Sequence, residues 1–226
     1  MKIWHISDTH TNHLGLVIPE GIDMVIHSGD CSNPRDPYTN EPEVREFIDW
    51  FGGLPIKHKI YVAGNHDTSI EKGLVIKEDF GAYNIIYLEN ETIEIEGIKI
   101  FGSPHTPQFG QWAFMKARHK LDRIWKGAIE DGTHIIVTHG PPKGVLDLSE
   151  DMRGNLEFCG CKSLMNRVME VKPILVLFGH IHNSRTIITN SGMKKIAGLD
   201  TIFSNAATVT DGKMGEITSN GNVMEV

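Results

Sequence analysis

The chain of 226 residues is poor in the features that would place it outside ordinary globular enzymes. It has three cysteines, Cys31, Cys159 and Cys161, an odd and low count that excludes a disulfide framework. Cys159-Gly160-Cys161 has no second pair to complete a zinc site, so both read as plain thiols near a helix start. Cys31 directly follows Asp30 and is expected half-buried near the site, open to oxidation. The longest apolar run, Ile174 to Phe178, is far too short to span a membrane. No basic run is present and the net charge is -7, a poor match to long nucleic acid. There is no repeat, linker or low-complexity tract. No signal peptide is visible, since Met1-Lys2-Ile3-Trp4-His5-Ile6 leads straight into the first polar motif, so a cytoplasmic protein is the expectation. The length suits a single domain over residues 1–226, and the 40% apolar content can build a core.

What is present is a series of five short polar motifs, Asp8-Thr9-His10, Gly29-Asp30, Gly64-Asn65-His66-Asp67, Thr138-His139-Gly140 and Gly179-His180-Ile181-His182. Each follows a short hydrophobic segment that reads as a strand: Lys2 to Ile6, Met24 to Ile26, Lys59 to Val62, Ile135 to Val137 and Ile174 to Phe178. Further strands are predicted at Ile85 to Leu88, Ile93 to Ile95 and Ile98 to Phe101, with Glu96-Gly97 as a turn. Helices are predicted over Glu43 to Phe51, Ile70 to Phe80, Met115 to Ile129 and Ser163 to Val171, the last stopped by Pro173. The tail, Thr186 to Val226, reads as short strands separated by Gly and Asn turns. Alternating strands and helices predict an α/β fold. In a sheet of parallel strands the loops at the carboxyl ends share one edge, so motifs far apart in the chain can converge there. Together they offer two Asp, one Asn and four His, a mixed O and N donor set without thiolate, sufficient for two divalent metals and suited to phosphate-ester cleavage. Taken singly the motifs are weaker, since Gly29-Asp30 fits any turn and His139 fits a satisfied buried histidine.

The set D-x-H, G-D, G-N-H-D, T-H-G and G-H-x-H resembles the calcineurin-like metallophosphoesterase superfamily. A second layer is similar to the small brain-type metallophosphoesterase-domain proteins. It comprises Gly102-Ser103-Pro104-His105-Thr106-Pro107 with Trp112, Thr138-His139-Gly140-Pro141-Pro142, Gly160-Cys161 before a helix, and Asn205-Ala206-Ala207. The resemblance implies a four-layer sandwich of two facing mixed β-sheets flanked by helices. It implies that Asp8, His10 and His182 hold one metal, that Asn65, His139 and His180 hold a second, and that Asp30 bridges them. Mn²⁺ is the expected metal, with Fe, Zn²⁺, Co²⁺ or Ni²⁺ as alternatives. Some vertebrate members replace a histidine of the last motif with glycine, whereas this chain keeps His180.

The implied reaction is attack on phosphorus by a metal-bridging hydroxide, with His66 as the acid that protonates the leaving alkoxide. The alternative for His66 is orientation of Asn65 or a carboxylate. Asp67 reads as structural, a cap for the segment that follows. Phosphoprotein phosphatases pair the acid histidine with an Asp shortly after the G-D motif, and Cys31-Ser32-Asn33-Pro34-Arg35 contains none, which leaves the partner of His66 open. They also carry arginine motifs for monoester phosphate that this chain lacks. The resemblance implies a small phosphodiester such as a cyclic nucleotide as the substrate; no membrane partner and no long nucleic acid are expected, and a homodimer is compatible with the chain. A phosphomonoesterase, a nuclease and a metal-binding scaffold without turnover are the alternatives. His105, Gln108 and Trp112 are candidates for touching a leaving group, or for packing and turn roles. Arg153 is a candidate phosphate contact or an exposed surface residue.

Overall fold

The computed structural model describes residues 1–151, 153–210 and 216–226. In the first half, the strands are β1 Lys2–Ile6, β2 Met24–His27, β3 His58–Tyr61, β4 Ile86–Tyr87, β5 Glu91–Ile95, β6 Ile98–Ser103 and the short β7 Thr106–Pro107. They are followed by β8 Met115–Lys116, β9 Ile135–Thr138, β10 Leu148–Glu150, β11 Leu156–Phe158, β12 Leu175–Phe178, β13 Gly192–Lys195, β14 Ile202–Asn205 and β15 Asn222–Glu225. The helices are α1 Pro37–Gly52, α2 Thr68–Glu71, α3 Lys77–Gly81, α4 Arg118–Ala128 and α5 Lys162–Val171.

Two large sheets organise the molecule. One runs β15-β1-β2-β3-β4 and the other β13-β14-β12-β9-β6-β5. The strands β1 to β4 are mutually parallel, with β15 antiparallel at the edge. In the second sheet β6, β9, β12 and β14 are parallel, with antiparallel β5 and β13 outside them.

The period-2 rule of strands divides the apolar side chains into three layers of core. Ile3, Met24, Ile26 and Ile60 of the first sheet meet Ile100, Ile135, Val137, Leu175 and Leu177 of the second. The alternate residues Trp4, Ile6, Val25 and Tyr61 pack outward on Val44, Phe47 and Phe51 of α1 and Phe80 of α3. On the far side Phe101, Ile136, Val176, Phe178 and Phe203 pack on Leu121 and Trp125 of α4 and Leu164 and Val168 of α5. Three cores between helix, sheet, sheet and helix make the expected four-layer sandwich.

Several boundaries differ from the expectation. Helix α1 begins at Pro37, because the Asp36 carboxylate accepts from Tyr38 N and Thr39 N and caps it. The helix accommodates Pro42 near its start. The segment predicted as one helix over Ile70 to Phe80 is two short ones, α2 and α3, separated at Gly73, whose φ of 71° is left-handed. Met115 pairs in β8 with Thr106 instead of opening α4. The tail does form strands, β13 to β15, while residues 211–215 lie outside the described residues. No helix among the described residues is long and apolar enough to cross a membrane.

Candidate metal centre

The parallel register carries β1, β2 and β3 to one edge of the first sheet, and β9 and β12 to the same edge of the second. The two edges are tied where Ser7 N donates to Ala206 O and Thr208 N donates to Ser7 O. The loops after those five strands deliver Asp8, His10, Asp30, Asn65, His66, His139, His180 and His182 to one place.

Two groups of donor atoms result. One atom each from Asp8, His10 and His182 lie within 4.8 Å of one another, and so do atoms from Asp30, His139 and His180. The Asp30 carboxylate lies between the groups, with Oδ2 3.3 Å from His139 Nε2 and 4.0 Å from His10 Nε2. Asn65 Oδ1 is 2.9 Å from His139 Nε2, which joins Asn65 to the second group. All seven side chains therefore converge on one place.

The surrounding backbone sets which imidazole nitrogen is offered. Carbonyls only accept, so His10 Nδ1 donates to Ser32 O at 3.1 Å and His139 Nδ1 donates to Ser28 O at 2.9 Å. Both rings are left with Nε2 as the ligand atom, the usual way a metal-binding imidazole is oriented. His10 Nε2 is buried with no hydrogen-bond partner, a costly arrangement that a metal ion would repair. The donor set and this orphaned nitrogen fit divalent metals.

Strain is concentrated here. Asp8, His10, Asp30 and His180 have φ values of 52°, 44°, 60° and 69°, in the left-handed region that costs roughly 1–3 kcal/mol per non-glycine residue. The strain lies in the loops directly after β1, β2 and β12. Close approach also demands glycine at two positions. A Cβ on Gly179 would lie 2.0 Å from Asp8 Oδ2, and one on Gly64 would lie 2.2 Å from Asp30 Oδ1.

The electrostatics follow the same pairing. Burial alone would lift the Asp8 carboxyl, but His182, at 3.0 Å, and then His139 hold it below the usual range. Asp30 is likewise lifted by burial and brought well below the usual range by His139, His66 and His10. Burial depresses the His139 imidazole, yet the Asp30 carboxylate outweighs it and raises the group to about 9. Desolvation and then repulsion from His139 lower His180 to about 3.

Asp67 is structural, but not as a helix cap: its side chain makes no cap bond to α2. Its Oδ2 accepts from Asp30 N, Gly64 N and Tyr61 OH at 2.9, 2.6 and 2.6 Å. Its Oδ1 accepts from Cys31 N, Ser32 Oγ and Cys31 Sγ at 3.1, 2.9 and 3.3 Å. Cys31 is accordingly fully buried rather than half-buried, and burial followed by the Asp67 charge pushes its thiol well above the ordinary value, against the expected ease of oxidation.

His66 Nδ1 donates to the Asn33 carbonyl at 2.9 Å, a partner for the ring that no side-chain carboxylate among the described residues supplies, while its backbone N–H donates to Asp30 Oδ1 at 2.7 Å. The indole of Trp112 lies against its ring at 4.2 Å between centroids. His105 is buried, with Nδ1 donating to Phe114 O and Nε2 facing Asn90 Nδ2, so it packs instead of reaching a leaving group. Gln108 is exposed, and Arg153 is exposed in the β10–β11 turn. Residues that sequence reading passed over are Asn40, whose amide donates to His66 O, and Asn190 and Asn205, whose amides donate to His182 O and Ile181 O. Only Asn205 lay within a noted motif. A cavity of about 780 Å³ opens beside His180 and His182, walled by Phe109, Leu148, Ile181 and Ile187, with Arg185 and Glu150 among its polar lining.

The profile of the calcineurin-like phosphoesterase family matches residues 1–184. Human metallophosphoesterase domain-containing protein 1 is 33% identical over 209 residues, covering 82% of this chain and 61% of the human protein. A UPF0046 protein of Caenorhabditis elegans is 35% identical over 221 residues, covering 89% of this chain and 73% of the worm protein. Among solved structures, that of phosphopantetheinyl hydrolase from Mycobacterium tuberculosis superposes with a TM-score of 0.64 at 15% identity, over 99% of this chain and 95% of that one. The chain thus spans about three-fifths of the human relative's length, and the structural likeness speaks for the fold alone. The profile match and these relatives place the chain in the calcineurin-like phosphoesterase family, whose members bind pairs of divalent metals and hydrolyse phosphoester bonds.

Proposed function

We propose that the protein is a dinuclear metal-dependent phosphodiesterase for small phosphodiesters such as cyclic nucleotides, with Mn²⁺ as the working metal. The observation that carries the reading is the pair of donor groups joined by the Asp30 carboxylate. Asp8, His10 and His182 would hold one ion, and Asn65, His139 and His180 the other, with Asp30 shared. When bound, such a pair lowers the pKa of water to near neutrality and neutralises charge growing on the phosphoryl oxygens.

The chain's own residues supply the rest. Backbone carbonyls of Ser28 and Ser32 fix the imidazoles, and the Asp67 carboxylate fixes the strained turn at Asp30. His66, whose Nδ1 is committed to Asn33 O, presents Nε2 as the atom that gives a proton to the departing ester oxygen. As a hydroxide oxygen bonds to phosphorus, the P–O bond to the leaving group breaks, and the departing oxygen keeps that bonding pair and takes the proton from His66. A substrate with two ester arms can use the cavity beside His180 and His182, whose apolar walls suit a bulky organic group; His66 does not line it. A monoester has a single arm and leaves that volume unused. The net charge of -7 and the absence of a basic run favour small substrates over long nucleic acid.

The test compares bis-p-nitrophenyl phosphate with p-nitrophenyl phosphate on protein stripped of metal and refilled with Mn²⁺. Metal-dependent turnover of the diester with little of the monoester is expected. A monoester preference would replace this reading with a phosphatase, and no turnover with two ions bound would replace it with a scaffold or a narrowly selective enzyme.

A further inference from the structure

A general acid needs a defined ring direction as well as a proton. One hydrogen bond, from His66 Nδ1 to Asn33 O, sets the ring's rotation about Cβ–Cγ, and a single bond to a loop carbonyl is a soft restraint that contacts on the ring's face and edge stiffen. Two neighbouring rings supply those contacts. The Trp112 indole lies on it at 4.2 Å between centroids and 33° between planes, and the His10 ring meets it edge-on at 4.9 Å.

Trp112 is itself clamped. The Arg35 guanidinium lies 4.7 Å from the indole centroid, and its Nε donates to the carbonyl of Gln111 at 2.9 Å. On the other side of Trp112, Ala113 N donates to Asn65 O at 3.1 Å and Phe114 N donates to Glu71 Oε1 at 2.8 Å. The indole is therefore held by residues before and after it, and one of those anchors is the residue next to His66. The Asp30 carboxylate accepts from the His66 backbone N–H at 2.7 Å, but among the described residues no carboxylate accepts from the His66 ring, so ring orientation falls to the Asn33 carbonyl and this aromatic clamp.

We propose that Trp112, held by Arg35, is a positioning residue that fixes the ring plane of His66 for proton delivery to the leaving group. The proposal rests on His66 being the acid. It differs from a wall that binds substrate and from simple packing, and kinetics separate the three. A lost or misaligned acid slows esters with poor leaving groups far more than esters whose leaving group departs unaided.

The test uses the full chain refilled with Mn²⁺ and the p-nitrophenyl and phenyl esters of whichever phosphate class the unaltered protein cleaves. The variants are W112A, W112F, H66A and the H66A/W112A double, each with metal content measured. We expect W112A to bind both metals and to lower kcat on the phenyl ester at least ~10-fold more than on the p-nitrophenyl ester, with KM little moved. W112F keeps an aromatic face and should recover most of the loss. In the H66A background the W112A change should add almost nothing, because its effect runs through His66. Equal slowing of both esters, a change in KM alone, or full additivity with H66A would overturn the proposal. If H66A itself shows no leaving-group dependence, the acid reading fails first and the proposal with it, an outcome visible in the H66A data alone.

Discussion

Asp67→Asn is a nearly isosteric change that should be severe. Both oxygens of the native carboxylate act as acceptors, and together they receive three backbone N–H groups, two hydroxyls and one thiol. An asparagine replaces one acceptor with an NH₂ donor. If the NH₂ takes the place of Oδ2, the N–H groups of both Asp30 and Gly64 lose their acceptor. If it takes the place of Oδ1, Cys31 N–H is the one backbone donor orphaned, because the Ser32 hydroxyl and the weakly bonded Cys31 thiol can turn away. The second arrangement is cheaper and sets the estimate. One unsatisfied buried N–H costs ~1–3 kcal/mol, and loss of the charge weakens the remaining bonds, so the total is about 3–5 kcal/mol. For a chain of this size that lowers Tm by roughly 6–20 °C. Asp30 N is one of the donors and Asp30 sits at a φ of 60°, so loosening the network also frees the shared carboxylate and weakens metal binding. The assays are thermal unfolding by circular dichroism and metal titration by calorimetry. An unchanged Tm with unchanged metal affinity would refute the claim that Asp67 anchors the turn. A thiol reagent supplies a check on the same network, since Cys31 should be unreactive in the native protein and become reactive in the variant.

Three further outcomes follow from the geometry. Asp30→Asn should strip metal and lower kcat by at least ~100-fold together, since this carboxylate serves both donor groups, and plasma emission on the purified variant reads the metal. Gly179→Ala places a methyl 2.0 Å from Asp8 Oδ2 and 2.1 Å from Ser7 Oγ, so it should push Asp8 out of its group, cost ~1–3 kcal/mol in denaturant unfolding and weaken metal uptake. Acid should destabilise the fold well before the carboxylates titrate. His5 and His27 are lowered from 6.5 to about 3, by burial first, so the unfolded chain binds protons that the native one refuses as pH falls from 6.5 toward 3. Their contribution is whole above pH 6.5 and lost through that window, and urea midpoints at pH 7 and pH 5 should differ clearly with the lower value at pH 5.

The legibility of this chain was uneven for physical reasons. The layers could be read because Ile3, Trp4 and Ile6, like Ile135, Ile136 and Val137, alternate between two buried faces, and apolar residues on both sides of a strand mark a covered sheet. The site was legible because ligand-capable residues at five strand ends are hard to explain by packing. Helix limits were not, because Gly73 and Pro42 act through backbone geometry that hydrophobic spacing does not encode, one breaking a helix and the other tolerated within it. The supports of the site were also hidden. Asn33 acts through its carbonyl, which every residue has, and Asp67 gathers donors up to 37 positions away in the chain, so neither leaves a local pattern. Trp112 lies 46 positions after His66, and only the folded loop brings the two rings together.

The central claim is that these seven side chains hold two ions around Asp30. Crystals soaked in Mn²⁺ and measured at a wavelength where manganese scatters anomalously test it directly. The account predicts two anomalous peaks roughly 3.5–4 Å apart, one against Asp8, His10 and His182, the other against Asn65, His139 and His180, with Asp30 touching both. A single peak, or two peaks that do not share Asp30, would contradict it.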